Sequence, residues 1–390
     1  MSDRYIFVIV AILILFSITF SYSLPVYFTH VHSMSAFHFV VVQGFTGFLG
    51  IGIMWGLAQL NPDIWLQRIG FGLFGTFFLI MLLMPFLPES IVPNINGAKR
   101  WIRTPIANLS PVEFFKIGFI FFLSWSLHRK IYANPMNNFN FLKELMLIIP
   151  YGAIFLVVAI LVAVMQNDFG QVVILGTTLI MLLLFAGSSF KLFMFLISTA
   201  IIGAITLIVT SSHRIDRILA WWGSAQEFIL SIFPTFIANS LRIDSENIVQ
   251  AYQVGWSLKA IFNGGFSGEG LGNGVVKLGY LSDVHTDFVL AGIAEETGLV
   301  GIFLISFLML TLIYHIFKIA NRSDNPVYYL FSMGIGIMIA TQYLINSMGI
   351  IGLIPLKGIA IPFISYGGSS MLALCVAIGI VLMMSKRSKL

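Results

Sequence analysis

Ten apolar runs, each about the length needed to cross a bilayer, divide this chain of 390 residues. They lie near residues 5–24, 38–60, 69–87, 112–127, 145–165, 171–187, 190–210, 298–317, 327–350 and 367–385. A helix needs about 20 predominantly apolar residues to span the hydrocarbon. A backbone there has to satisfy its own hydrogen bonds, which makes helices the default for such runs. The expected fold is an all-α polytopic membrane protein, one domain over residues 1–390, with about ten transmembrane helices. A long structured extracytoplasmic loop, residues 211–287, separates the seventh helix from the eighth. Charged residues are only 9% of the chain, against roughly 25% in soluble domains. That deficit excludes an ordinary soluble enzyme, a disordered protein and a nucleic-acid binder living in water. The net charge of +5 is accounted for by basic loops beside a membrane. The lone Cys375 excludes a disulfide framework within the chain. The first run follows Arg4 directly and lacks a small-residue cleavage site, so it is read as a retained helix.

Orientation follows from Lys and Arg in the short loops. With the N-terminus inside, eleven of them fall on the cytoplasmic side: Arg4, Arg68, Arg129, Lys130, Lys143, Lys191, Lys318, Arg322, Lys386, Arg387 and Lys389. The short outer loops hold four, Lys99, Arg100, Arg103 and Lys357, so both termini are expected in the cytoplasm. Residues 218–241 are apolar enough to suggest a further span, but a crossing would put the basic C-terminal tail outside. With Trp221, Trp222, Gln226 and Glu227, the segment suits a helix lying in or dipping into the outer leaflet.

Polar residues converge on the outer side. The loop Asn96-Gly97-Ala98-Lys99-Arg100-Trp101-Ile102-Arg103 carries three cations where topology disfavours them. It is either a solvated basic loop or an anion site at headgroup depth, with Trp101 as interfacial anchor. Glu113 and Lys116 share one face of the next helix and can pair, as a structural ion pair or as the wall of a substrate cavity. In the turn Gln166 to Gln171, Asp168 either caps the following helix or holds a basic residue in place. The glycine-rich run Gly264 to Gly274 lacks the strand–helix context of a nucleotide site; its glycines are expected to let the backbone turn tightly and approach a ligand. Asp283, His285, Thr286 and Asp287, followed by Glu295 and Glu296, crowd carboxylates at the outer mouth of the eighth span. Asp287 is placed to act there as a general base or to cap a helix. A metal held by His285 with Asp283 or Asp287 matches no strong ligand spacing. Two prolines and several glycines between Ile354 and Ser370 break the helix near Lys357, Tyr366 and Ser369, and such backbone must be buried in protein or line a cavity.

In this order, Asn96 to Ile102, His285-Thr286-Asp287-Phe288 with Glu295-Glu296-x-Gly298, and Lys357-Gly358 with Ser365 to Ser370 resemble the SEDS family (shape, elongation, division and sporulation) over nearly the whole chain. Gly270 to Leu278 and Lys357-Gly358 look like its division member more than its elongation member. The resemblance implies a ten-helix peptidoglycan glycosyltransferase of the bacterial cytoplasmic membrane, active in septal wall synthesis. It would polymerise lipid II into β-1,4-linked strands by inverting transfer. It also implies a class B penicillin-binding protein and other divisome membrane proteins as partners. The catalytic Asp falls on Asp287, and substrate-binding positions on Lys99, Arg100, Trp101, Glu113, Lys116, Asp168, His285, Thr286, Lys357 and Ser369. No cofactor is required with certainty; a divalent cation, Mg2+ or Mn2+, stays open. Two departures stand out. Gln166-Asn167-Asp168-Phe169-Gly170-Gln171 replaces the family's Gln-Pro-Asp-x-Gly-Thr, and the outer loop is expanded around 224–248. A lipid flippase or ion-coupled transporter, and a scaffold that only recruits partners, are the rival classes. A transporter needs ionisable groups near the midplane with access from both faces, whereas here they sit on the outer side.

Overall fold

The computed structural model describes residues 2–35, 37–94, 98–104, 108–132, 141–210, 249–281, 283–355 and 358–387, with scattered positions between 215 and 242. Lys357, Asn96, Gly97 and most of the 218–241 segment and the 224–248 expansion lie outside the described residues. Twelve helices are named here. They are α1 (Ser2–Ser23), α2 (Val26–Val31), α3 (His38–Gln59), α4 (Pro62–Leu83), α5 (Pro111–Leu127), α6 (Phe141–Ile160), α7 (Phe169–Phe185), α8 (Phe190–Val209), α9 (Val249–Gly264), α10 (Val289–Arg322), α11 (Pro326–Ile350) and α12 (Gly368–Ser385). Among the described residues, eight helical segments are long and apolar enough to cross a membrane. The two other expected spans are α5 and α7, of 17 residues each. Both are packed at the centre, where α5 runs along α4 and α7 against α11.

Helix starts follow local chemistry. Asn61 caps α4 by accepting from Asp63 N, and Pro62 fills the first turn, where no N–H is needed. Asn325 and Pro326 repeat the device at α11. The expected start of the third span at 69 is therefore too late: the Asn-Pro signal outweighs Asp63 and Arg68. Apolar surface sorts the bundle. Of the 20 residues of α8 only Leu192 is buried, leaving Phe190, Phe195, Ile202 and Val209 outward. By contrast, most of α11 and α12 is buried.

The eighth span begins earlier than expected, at Val289, and breaks at Gly298 (φ 65°, ψ −163°). The glycine-rich run explains how a break in an apolar helix is tolerated. Glu269 N donates to Glu295 O (2.9 Å) and Gly270 N to Glu296 O (3.0 Å), while Leu299 N donates to Gly265 O (3.0 Å). Gly264 and Gly268 thus make their close approach to the backbone of α10. Gly268 has φ +79°, and a Cβ there would lie 2.3 Å from Glu296 O. The same loop inserts Lys277 into the bundle, where its Nζ meets Glu296 Oε1 at 2.6 Å with both side chains buried, and Ser23 of α1 donates to the same carboxylate. Glu295 accepts from Val276 N at 3.1 Å. Glu295 and Glu296 are accordingly spent on folding and do not join the carboxylates at the outer mouth.

Gly268→Ala is expected to lower stability by about 1–3 kcal/mol through overpacking against a backbone carbonyl. Gly52→Ala in α3, where a Cβ meets nothing within 4 Å, should be neutral or stabilising by up to about 1 kcal/mol. Thermal unfolding of the two variants in detergent checks the contrast; equal midpoints would contradict the packing described.

Candidate active site

A cavity of about 1160 Å³ opens where the breaks of the bundle meet. Its walls come from the loop before α5, the α6–α7 turn, the segment before α10 and the broken stretch before α12. Arg100, Trp101, Glu113, Asp168, Thr286, Asp287 and Ser369 all line it, so seven of the residues singled out in the sequence share one space.

Asp287 is fixed through its backbone. Three consecutive carbonyls are held from other elements: His285 O accepts from Tyr366 N (3.0 Å), Thr286 O from Ser365 Oγ (2.7 Å), and Asp287 O from Asn346 Nδ2 (2.8 Å). The same Asn346 amide also donates to Ile359 O at 2.6 Å. Asp287 does not cap α10; Phe288 occupies that position. Gly358 runs so close that a Cβ on it would stand 3.1 Å from Asp287 Oδ2.

On the facing wall, Ile102 and Leu109 exchange backbone hydrogen bonds (2.8 and 2.9 Å) and fold the basic loop back toward α5. Arg100 is clamped on the altered turn, with Nε donating to Gln166 O (2.7 Å) and a terminal nitrogen to Asn167 O (2.6 Å). Its guanidinium lies 5.9 Å from the centre of the Trp101 ring. Asp168 accepts from Gln171 N and so caps α7. Burial pushes its carboxyl above the usual range, opposed by the nearby Arg100 charge. Ser369 Oγ donates to Asn108 O (2.7 Å) and accepts from Ser110 N (3.0 Å), joining the start of α12 to the start of α5.

Three expected binding residues are placed elsewhere. Lys99 does not line the cavity; its Nζ donates to Pro85 O (3.1 Å) and Leu87 O (3.0 Å) and ties down the turn after α4. Lys116 is buried behind Glu113, at 2.8 Å from its Oε2. The His285 ring packs among Phe28, Phe39 and Tyr366. Burial pushes it down to about 4, against the opposing charge of Asp283, so it adds no cation near neutral pH. The described lining therefore carries Arg100 against four carboxylates: Glu113, Asp168, Asp283 and Asp287.

Several site residues were missed in the sequence. Gln43 and Asn346 are polar side chains buried in apolar helices, a costly placement that could have flagged them. Gln43 donates to Ser17 Oγ (2.7 Å) and accepts from Gly367 N (3.2 Å), fastening the broken stretch before α12. His38 and Gln171 also line the cavity. Gln171 gave no periodic signal; only its departure from the family pattern marked it. Among the described residues no group of three or more His, Cys, Asp or Glu comes together as a metal site would need.

Two proteins named "Probable peptidoglycan glycosyltransferase FtsW" align with this chain. The Helicobacter pylori protein (strain ATCC 700392 / 26695) is 45% identical over 100% of this chain and 99% of its own length. The Geobacter sulfurreducens protein (strain DL-1 / KN400) is 31% identical over 90% and 87%. The fold resembles the crystal structure of the Thermus thermophilus rod shape determining protein RodA, with TM-score 0.58, 19% identity, and 96% and 97% of the two chains covered. It also resembles a chain in a structure described as coordinating polymerization and crosslinking by a peptidoglycan synthase complex, with TM-score 0.66, 19% identity, and 97% and 96% covered. The FtsW/RodA/SpoVE family, described as cell cycle proteins, matches residues 3–390, and this multi-pass membrane chain belongs to it.

Proposed function

We propose that this chain is a peptidoglycan glycosyltransferase that polymerises lipid II in septal wall synthesis. The observation that carries the reading is the convergence of Arg100 and Asp287 on one cavity, the aspartate on a backbone held at three successive carbonyls. The names of its full-length relatives support the same activity.

The chemistry follows from the two walls. The 4-hydroxyl of the acceptor sugar gives its proton to Asp287 as its oxygen attacks the anomeric carbon of the donor. The bond from that carbon to the diphosphate breaks, and the polyprenyl diphosphate leaves with the electron pair. Arg100 meets the charge that develops on the leaving group, a role suited to a donor already held in place. An α-linked donor yields a β-1,4 bond in a single displacement, so no covalent glycosyl-enzyme is needed. Trp101 backs the guanidinium. Thr286 and Ser369 shape the walls around Asp287 and the start of α5. Lys357, as the neighbour of Gly358, is a further cation for the diphosphate. Lys99 acts by holding the loop that carries Arg100. A divalent cation, Mg2+ or Mn2+, would arrive with the diphosphate and offset its charge.

The chain sits in the bacterial cytoplasmic membrane at the division septum, with both termini in the cytoplasm. It works with a class B penicillin-binding protein that supplies crosslinking, as well as other divisome membrane proteins. The charge count supports this orientation, and the likeness to a synthase complex supports the pairing.

Glu269→Cys, on the exposed glycine-rich loop, in a Cys375→Ser background should react with an impermeant thiol reagent from outside the cell. Labelling only after permeabilisation would invert the topology. Arg100→Ala should lose about 1.5–3 kcal/mol of transition-state binding, the scale of one charge-assisted contact, and Arg100→Lys should recover part of it, because a point charge does not replace a planar fork. Wild-type turnover by folded Arg100→Ala would remove Arg100 from the mechanism. Asp287→Asn keeps size and backbone contacts but takes no proton. Polymerisation of purified lipid II should fall about 10²–10⁴-fold with substrate binding retained, and a near-wild-type rate would sink the assignment.

A further inference from the structure

The Glu113–Lys116 pair is not a simple ion pair, because a third side chain closes it. Gln171 Nε2 donates to Glu113 Oε1 at 2.9 Å. Lys116 Nζ donates to Gln171 Oε1 at 2.9 Å, and the ammonium meets Glu113 Oε2 at 2.8 Å. The amide fits in one orientation only, donor toward the carboxylate and acceptor toward the ammonium. Gln171 itself is held at the first turn of α7, where its N–H donates to Asp168. We propose that Gln171 is a positioning residue that holds Glu113 and Lys116 as a neutral unit, with Glu113 aimed at the sugar-bearing part of the substrate rather than at its diphosphate. This rests on the polymerase reading above.

Charge and exposure carry the assignment. The Lys116 side chain is 1% exposed and that of Glu113 11%, so only the carboxylate of this pair reaches the cavity. A carboxylate offers about four lone-pair sites and accepts only. The two bonds in the ring leave acceptor capacity for a hydroxyl or an acetamido N–H. A diphosphate has no hydrogen to give and is repelled by the carboxylate, while the buried ammonium behind it cancels the longer-range field. Position 171 is one where this chain departs from the family pattern of Thr. The amide places its polar atoms two bonds farther from Cβ than a hydroxyl does, which gives it the reach to touch both ions.

The test uses the full chain co-purified with its penicillin-binding partner. It measures KM and kcat for lipid II polymerisation together with inhibition by undecaprenyl diphosphate, which carries no sugar. Gln171→Met keeps length and removes both amide bonds. It should raise KM about tenfold, the cost of loosening contacts to charged groups, leaving kcat and the inhibition constant within about twofold. Adding Glu113→Gln to Gln171→Met should raise KM no further, because both changes remove the same contact. Should Gln171→Met not fold, Gln171→Leu, which is also neutral and removes both amide bonds, must show the same split. An unchanged KM, a parallel rise in KM and in the inhibition constant, or additive single changes would overturn the inference while the polymerase reading stands. A wild-type complex that does not polymerise lipid II overturns both.

Discussion

Asn346 spends one amide group on two carbonyls, those of Asp287 and Ile359, from the interior of an otherwise apolar helix. Its place there reflects a constraint on the whole cavity wall. The stretches 283–288 and 358–367 are irregular backbone that packs into the bundle and lines its cavity, the two settings in which such backbone is tolerated at membrane depth. Each carbonyl left by a helix that stops early must find a donor, and an unpaired buried polar group costs about 1–3 kcal/mol. Ser365, Tyr366 N and Asn346 supply the donors for residues 285–287, and Gln43 with Ser17 supplies them for the segment leading to α12. Asp287 is therefore held because its neighbours' backbone has to be satisfied, and the rigidity a general base needs comes from the same hydrogen bonds.

The first half of α10 solves the same problem differently. Where α10 breaks at Gly298, the glycine-rich loop lays its own N–H groups on the released carbonyls. Lys277 and Ser23 then hold the Glu296 carboxylate inside. Removing one partner of such a buried pair is far more damaging than replacing both, because it leaves a bare charge in low dielectric. The glycines and the ions are parts of one device, the first giving access and the second locking it.

Electrostatics in the cavity favour orientation over bulk attraction. One described cation faces four carboxylates, a poor sink for an anion unless that cation is well placed. Arg100 is placed by two carbonyls of the α6–α7 turn. Asn167 makes this grip by adopting φ +52°, a left-handed conformation open to Asn but closed to proline, whose ring holds φ near −65°. The missing proline of the family pattern is thus a different turn, shaped around the arginine.

Much of this protein was legible in the order of its residues. Apolar runs of membrane length fixed the class of fold, because hydrocarbon leaves a backbone few alternatives. Asn325-Pro326 starts α11 within one residue of the expected 327, whereas the same signal at Asn61-Pro62 starts α4 seven residues before the expected 69. Arg100, Glu113, Asp168 and Asp287 stood out because charge is expensive beside a membrane. What the residue order left open was which of these groups meet, and which are spent on the fold. Lys99, His285, Glu295 and Glu296 looked as functional as Asp287, yet the first holds two carbonyls, the second packs among rings and the last two hold a loop. The choice rests on contacts between residues far apart in the chain, Ser23 with Glu296 and Asn346 with Asp287 among them. Such pairs leave no periodic trace in the sequence, since the partner of a buried polar group is set by packing in three dimensions.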